Sequence, residues 1–228
     1  MENLDPFFDC DPDTKAWLEN VWLPEEQEHG RLMKAYVEER WPDFKWTQGF
    51  EEFSELYIPQ CVTEKLRRSI GLEALARCIT ETEATMIYRC LANFSTDPEL
   101  TILLKRMSTD EIRHYRKFRD LHKRYELLEN NNFICKARTL LARSALVLDE
   151  DLALAFRPLN NNWIFEPPFK PWSYEKYLSF TAGVMKEHFP FREAKRMLFH
   201  PIKTSGWLNK VAIDLMAILA ARQFLSHA

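Results

Sequence analysis

Apolar positions recur three and four residues apart along most of this chain, which is the period of an amphipathic helix. One series is Leu100, Leu103, Leu104, Met107, Phe118 and Leu121. It predicts a helix that begins at Pro98, with Asp97 or Thr96 as cap, and runs to about Leu128 before Asn130, Asn131 and Asn132 break it. An earlier series, Leu18, Trp22, Met33 and Tyr36 or Val37, predicts a helix capped by Asp13 or Thr14 and stopped by Trp41 and Pro42. A loop with Pro42 and Gly49 follows, then a helical or irregular segment through Pro59. Further helices are expected from Val62 to Asn93 and from Ile134 to Phe156. Residues 158–172 carry four prolines and read as loop. Three shorter helices, 173–187, 191–199 and 205–226, complete the pattern, separated by Pro190 and Pro201. The fold class that follows is all-α.

Composition narrows this picture. The 228 residues fit one sizeable domain or a core with an appendage, and 46% apolar residues are enough for a core. A net charge of -3 gives no general case for nucleic acid. The charge is uneven, however. Residues 1–30 hold nine acids and one Lys, whereas residues 102–143 hold eleven Lys or Arg against five acids. Two complementary solvated faces account for this, and so does a docking surface for an acidic partner. Cys10, Cys61, Cys78, Cys90 and Cys135 form no CxxC pair, so they read as reduced, buried thiols of a cytoplasmic protein. There is no signal-peptide pattern and no apolar run of spanning length; the best candidate, Val211 to Ala221, contains Asp214.

Two of the apolar stripes are interrupted by the same pair of polar residues. Glu111 and His114 sit within the stripe of the helix from Leu100, and Glu26 and His29 sit within the stripe of the first helix. Each pair therefore points into the core, where an unpaired carboxylate costs several kcal/mol. A Glu and a His three apart on one helix face can bind one cation, or two with help. A buried Glu–His network without metal is the bland alternative. The helix between them should supply a bridging carboxylate, and both Glu81 and Glu83 lie on apolar stripes. Tyr88 lies two turns beyond Glu81 on the same face, where a phenol can hydrogen-bond a liganding carboxylate. His122, His188, His200 and His227 show no mutual ligand spacing and read as surface or capping residues. The seven tryptophans read as packing residues. No Gly-rich phosphate loop, GxSxG or Ser-His-Asp order is present, which leaves nucleotide and hydrolase chemistry without support.

The segment Trp22 to Gly30, with Glu26 and His29, resembles the region around the first Glu-x-x-His of soluble acyl-carrier-protein desaturases. Thr80 to Arg89, then Asp97 to Leu100, then Asp110 to His114 resemble the second half of the ferritin-like di-iron site, closest to bacterial ferritin-like domain proteins related to those desaturases. The likeness covers residues 13–125 or so. It implies a ferritin-like helical bundle, with residues 1–130 as the metal-binding core and 131–228 as a C-terminal helical extension. It implies five ligands, Glu26, His29, Glu81, Glu111 and His114, holding two irons if the site is complete. The Glu-to-Tyr spacing favours Glu81 over Glu83 as the family ligand. Asp110 matches an acid that accepts a hydrogen bond from the far nitrogen of a liganding histidine, and Tyr88 stands beside the site.

One departure stands out. The family's first helix contributes a lone Glu about 30 or more residues before the position of Glu26, and only 25 residues precede Glu26 here. Glu2 is the sole early candidate. Three expectations follow: the first helix is lacking, another residue substitutes, or one iron position is degraded. The resemblance implies a non-haem di-iron oxidoreductase that uses dioxygen to oxidise or desaturate an organic, acyl-type substrate. Implied partners are an acyl carrier protein or electron donor and a second copy in a homodimer, with no nucleic acid and no transmembrane segment. Iron or peroxide handling, or a non-enzymatic helical scaffold with a degraded metal site, are the alternatives.

Overall fold

A computed structural model describes residues 8–9, 11–60, 69–149, 151–164 and 170–202. Every regular element among the described residues is helical, as the hydrophobic pattern predicts. Contacts divide the chain into two compact units, Met1–Leu66 with Asp149–Tyr177, and Arg67–Leu148 with Leu178–Ala228. Each unit thus combines residues from before and after residue 130.

The first unit opens with α1 (Pro12–Trp17), a π-turn (Leu18–Trp22) and α2 (Leu23–Arg40), which follow one another without a break. The cap is Asp11 rather than Asp13 or Thr14; its Oδ1 accepts from the Thr14 amide at 3.1 Å. The π-turn has a local cause. Pro24 has no amide to offer the carbonyl of Asn20, and its ring clashes with a carbonyl four residues back in an α-helix. The Leu23 amide instead reaches the Leu18 carbonyl, five residues back, and the wider turn relieves the crowding. Trp41 ends α2 as expected.

Next comes α3 (Trp46–Tyr57), followed by a 3-10 turn (Ile58–Gln60). Gly49 lies inside α3 rather than in a loop. A Cβ at Gly49 would sit 3.6 Å from the Asn162 side chain, so the glycine marks where α3 packs against α7 (Asp151–Asn161). Pro158 is also helical, against the loop expected over residues 158–172. The Pro158 carbonyl accepts from both the backbone and the side-chain amide of Asn162, at 3.2 and 2.9 Å, and this closes the helix end. Trp163 packs on Phe44 and Trp41, a packing role of the kind expected for tryptophan.

The second unit is built on a long hairpin of α4 (Ile70–Phe94) and α5 (Pro98–Glu129). Ser69 caps α4, and the expected start between Val62 and Arg68 lies outside the described residues. Asp97 caps α5, its Oδ1 accepting from the Glu99 amide at 2.8 Å, and Pro98 takes the first position as predicted. Asn130 ends α5 at φ 49°, a left-handed conformation that Asn tolerates. The stretch expected as a helix over 134–156 is helical in α6 (Phe133–Asp149) and in α7, and residue 150 between them lies outside the described residues. The unit continues into α8 (Tyr174–His188), from Leu178 on, and α9 (Phe191–Phe199); the helix expected at 205–226 lies outside the described residues. Leu75, Ile79, Leu140, Phe199 and Ile202 form a dry cluster that joins α4 to α6 and α9.

The start of α4 is locked to the end of α5. The Glu129 carboxylate accepts from Ser69 Oγ, from the Gly71 amide at 3.0 Å and from Asn131 at 2.8 Å. His122, expected at the surface or in a cap, is fully buried with Nδ1 2.7 Å from the Gly71 carbonyl oxygen. It continues the α5 stripe one turn past Phe118. His200 is exposed, His188 is half-buried against the Phe94 ring, and His227 lies outside the described residues. Cys78 and Cys90 are buried free thiols and Cys135 is a half-buried one, whereas Cys10 and Cys61 lie outside the described residues.

Candidate metal centre

The α4–α5 hairpin brings three of the expected residues together. Glu81 lies on the buried face of α4 with Ala74, Cys78 and Thr85. Glu111 and His114 lie on the buried face of α5 between Met107 and Phe118. All three side chains are essentially inaccessible, at 3, 1 and 1% exposure. His114 Nδ1 is 3.2 Å from Glu111 Oε2 and 3.5 Å from Glu81 Oε2. One donor atom from each residue lies within 4.8 Å of the others.

These distances could hold a metal ion, and the 3.2 Å contact of His114 Nδ1 with Glu111 Oε2 is also within hydrogen-bond reach. A charge-assisted N–H···O bond closes to about 2.7–2.9 Å. Two ligand atoms each about 2.1 Å from one metal ion, at angles of 90–110°, stand roughly 3.0–3.4 Å apart. The 3.2 Å separation fits both a hydrogen bond and a shared metal, and the 3.5 Å one lies just beyond either. The donor set also fits. Two carboxylates and one imidazole suit a first-row divalent metal such as iron, and no thiolate is among them. Two buried carboxylates beside an imidazole otherwise need protons or a cation to offset their charge.

Glu83, the competing carboxylate on α4, is half-buried. Periodicity leaves the two acids level; the hairpin places Glu81 against His114. Three threonines on α4 bond back to the helix, Thr80 to the Ala76 carbonyl, Thr82 to that of Cys78 and Thr85 to that of Glu81. Their hydroxyls are thereby satisfied inside the hydrocarbon packing around Glu81. Tyr88 is half-buried two turns along α4. Asp110 accepts from Arg113 Nη1 at 2.6 Å.

One neighbour, Tyr115, escaped the sequence reading as part of this environment. Tyr115, beside His114, donates its phenolic proton to the Met197 carbonyl at 2.8 Å. Burial pushes its pKa well up. Burial, and then the charge of Glu81, push the Cys78 thiol up as well. The signal for Tyr115 was available, since it follows Glu111 by one turn on the same stripe.

In the first unit, Glu26 and His29 form the second pair. His29 is buried, Glu26 is about one-third exposed, and His29 Nδ1 lies 3.8 Å from Glu26 Oε2. As in the Glu111–His114 pair, Nδ1 is the nitrogen that faces the carboxylate. Glu2, the early acid considered as a substitute ligand, lies outside the described residues.

Comparison with known proteins finds no matching family model, no similar curated protein and no similar solved structure.

Proposed function

We propose that the chain is a non-haem iron oxidoreductase of ferritin-like type, which uses dioxygen to oxidise or desaturate an organic, acyl-type substrate. The observation that carries this reading is the buried convergence of Glu81, Glu111 and His114 at ligand-edge distances. In the proposal Glu26 and His29 complete the centre and two irons are held per chain. The repeated Glu-x-x-His and the shared Nδ1-to-carboxylate arrangement support that completion.

When bound, the metal pair supplies electrons for the reduction of dioxygen. The chain's own residues set the conditions. Carboxylates are hard donors that favour the oxidised metal and can shift between bridging and terminal binding. The histidines fix one nitrogen donor each. Burial keeps water from the centre and raises the strength of every charge interaction in it. An acyl carrier protein or electron donor would dock on the exposed cations of α5, such as Lys105, Arg106, Arg113 and Arg116. A homodimer belongs to the same reading.

Anaerobic titration with Fe(II), followed by exposure to air, tests this. The expected result is one to two irons per chain and oxygen-dependent oxidation of the bound metal. Glu111→Ala and His114→Ala should each lose most of the iron. Iron uptake with peroxide or oxygen consumption but no acyl oxidation would assign the centre to iron handling. Parent-like loading by both variants would end the metal assignment.

A further inference from the structure

Three of the five most exposed large aliphatic side chains among the described residues lie close together in the chain, where α5 gives way to α6 in the second unit. Leu127 is 84% exposed, Leu128 73% and Ile134 65%. The first two lie on the last turn of α5 and the third on the first turn of α6, with Asn130 to Asn132 between them. Exposed cations border them: Lys123 and Arg124 one turn back on α5, and Arg138 one turn on along α6.

The acids of this corner are paired within the chain, with Asp120 still exposed. Glu126 is taken by the buried Lys136. Glu129 is taken by Ser69, the Gly71 amide and Asn131. Asp120, a turn before Lys123, is held by Arg119 at 2.8 Å. The outward face therefore combines aliphatic tips and positive charge. The same Glu129 bonds fix the corner to the start of α4, so its shape is preorganised.

We propose that this corner docks the protein on an anionic lipid surface, with Leu127, Leu128 and Ile134 entering the headgroup region and Lys123, Arg124 and Arg138 meeting lipid phosphates. No helix among the described residues is long and apolar enough to cross a membrane, so the contact is peripheral. Lipid is favoured over an acidic protein because aliphatic tips at a helix–helix corner project outward. A soft interface receives such tips without a matching pocket, and its negative headgroups complement the cations.

Co-sedimentation of the full chain with vesicles tests this, using phosphatidylcholine alone and phosphatidylcholine mixed with phosphatidylglycerol. The expected result is binding to the mixed vesicles only, weakened by salt. Each cation near the surface contributes about fivefold in partitioning, so the K123A/R124A/R138A variant should bind about a hundredfold more weakly. The L127A/L128A/I134A variant should lose on the order of tenfold for each side chain. Both variants should keep their helical circular dichroism and their iron binding, which separates this test from that of the metal centre. Absence of binding to the anionic vesicles at low salt overturns the proposal. So does binding that the aliphatic variant leaves unchanged. A parent dimer in solution that the aliphatic variant dissociates also overturns it and assigns the corner to a second copy of the chain.

Discussion

Glu81 Oε2 on α4 stands 3.5 Å from Nδ1 of His114 on α5, and both side chains are closed off from solvent. The pairing crosses between two helices at a distance longer than a charge-assisted hydrogen bond, within a group of residues that could hold a metal ion. It also separates two acids that periodicity alone does not rank. Glu81→Ala should impair iron loading, whereas Glu83→Ala should leave it nearly intact. Metal analysis of the two purified variants decides this, and the reverse ranking would move the α4 ligand by two residues.

Asp110 gives a sharper test of the surroundings. Its visible partner is Arg113, in a pair whose arginine is half exposed, and such pairs contribute about 1 kcal/mol or less. If Asp110 also orients a liganding histidine, Asp110→Ala should weaken iron affinity about 10- to 100-fold without unfolding the protein. Arg113→Ala removes this ion pair but not the Asp110 carboxylate, and should leave affinity near that of the parent. Equal affinity in both variants would reduce Asp110 to a solvated helix charge.

Gly71 shows a close approach that stability measurements can read. A Cβ there would lie 2.7 Å from Glu129 Oε2 and 3.2 Å from the Tyr125 Cβ. Gly71→Ala should therefore crowd the junction between the start of α4 and the end of α5, at a cost of about 1–3 kcal/mol. Urea unfolding of parent and variant measures it. An unchanged midpoint would mean that the Glu129 side chain moves aside freely.

His122 makes stability depend on pH. Burial lowers its pKa below 6.5, more than the Gly71 carbonyl and the nearby Glu126 raise it. Lys136 adds to the lowering and Glu129 opposes it. The folded chain thus binds this proton less readily than the unfolded chain does. The stabilisation is complete above about pH 6.5 and is lost as pH falls from there through the folded pKa. The slope of unfolding free energy between about pH 7 and 5 should flatten in His122→Asn. An identical slope in the variant would place that titration elsewhere.

The all-helical class and the α5 boundaries were legible because local chemistry dictates them. Asp97 and Pro98 start the helix, Asn130 ends it, and an unbroken 3.6-residue stripe lies between. Glu111 and His114 were legible as polar intrusions in that stripe. Gly49 and His122 were misread for one shared reason. Each owes its conformation or burial to a partner distant in sequence or to packing. Gly49 has Asn162 against it, and His122 has the Gly71 carbonyl. At Pro158 the Asn162 amides reward a helix end that proline alone disfavours. The choice between Glu81 and Glu83 likewise needed the rotation of α4 against α5, which periodicity does not fix.

The short turn at Ser95 and Asp97 has a kinetic consequence. It joins α4 directly to α5, so Glu81 and His114 meet across only 33 residues of chain (114 minus 81). Contacts of such short range form early, since little loop-closure entropy stands in their way. On a growing polypeptide the two carboxylates and the imidazole can come together once α5 has emerged, before α6 to α9 have followed it. Two acids forced into proximity at that stage repel each other. A cation that is present during synthesis would remove the repulsion and speed the closing of the hairpin.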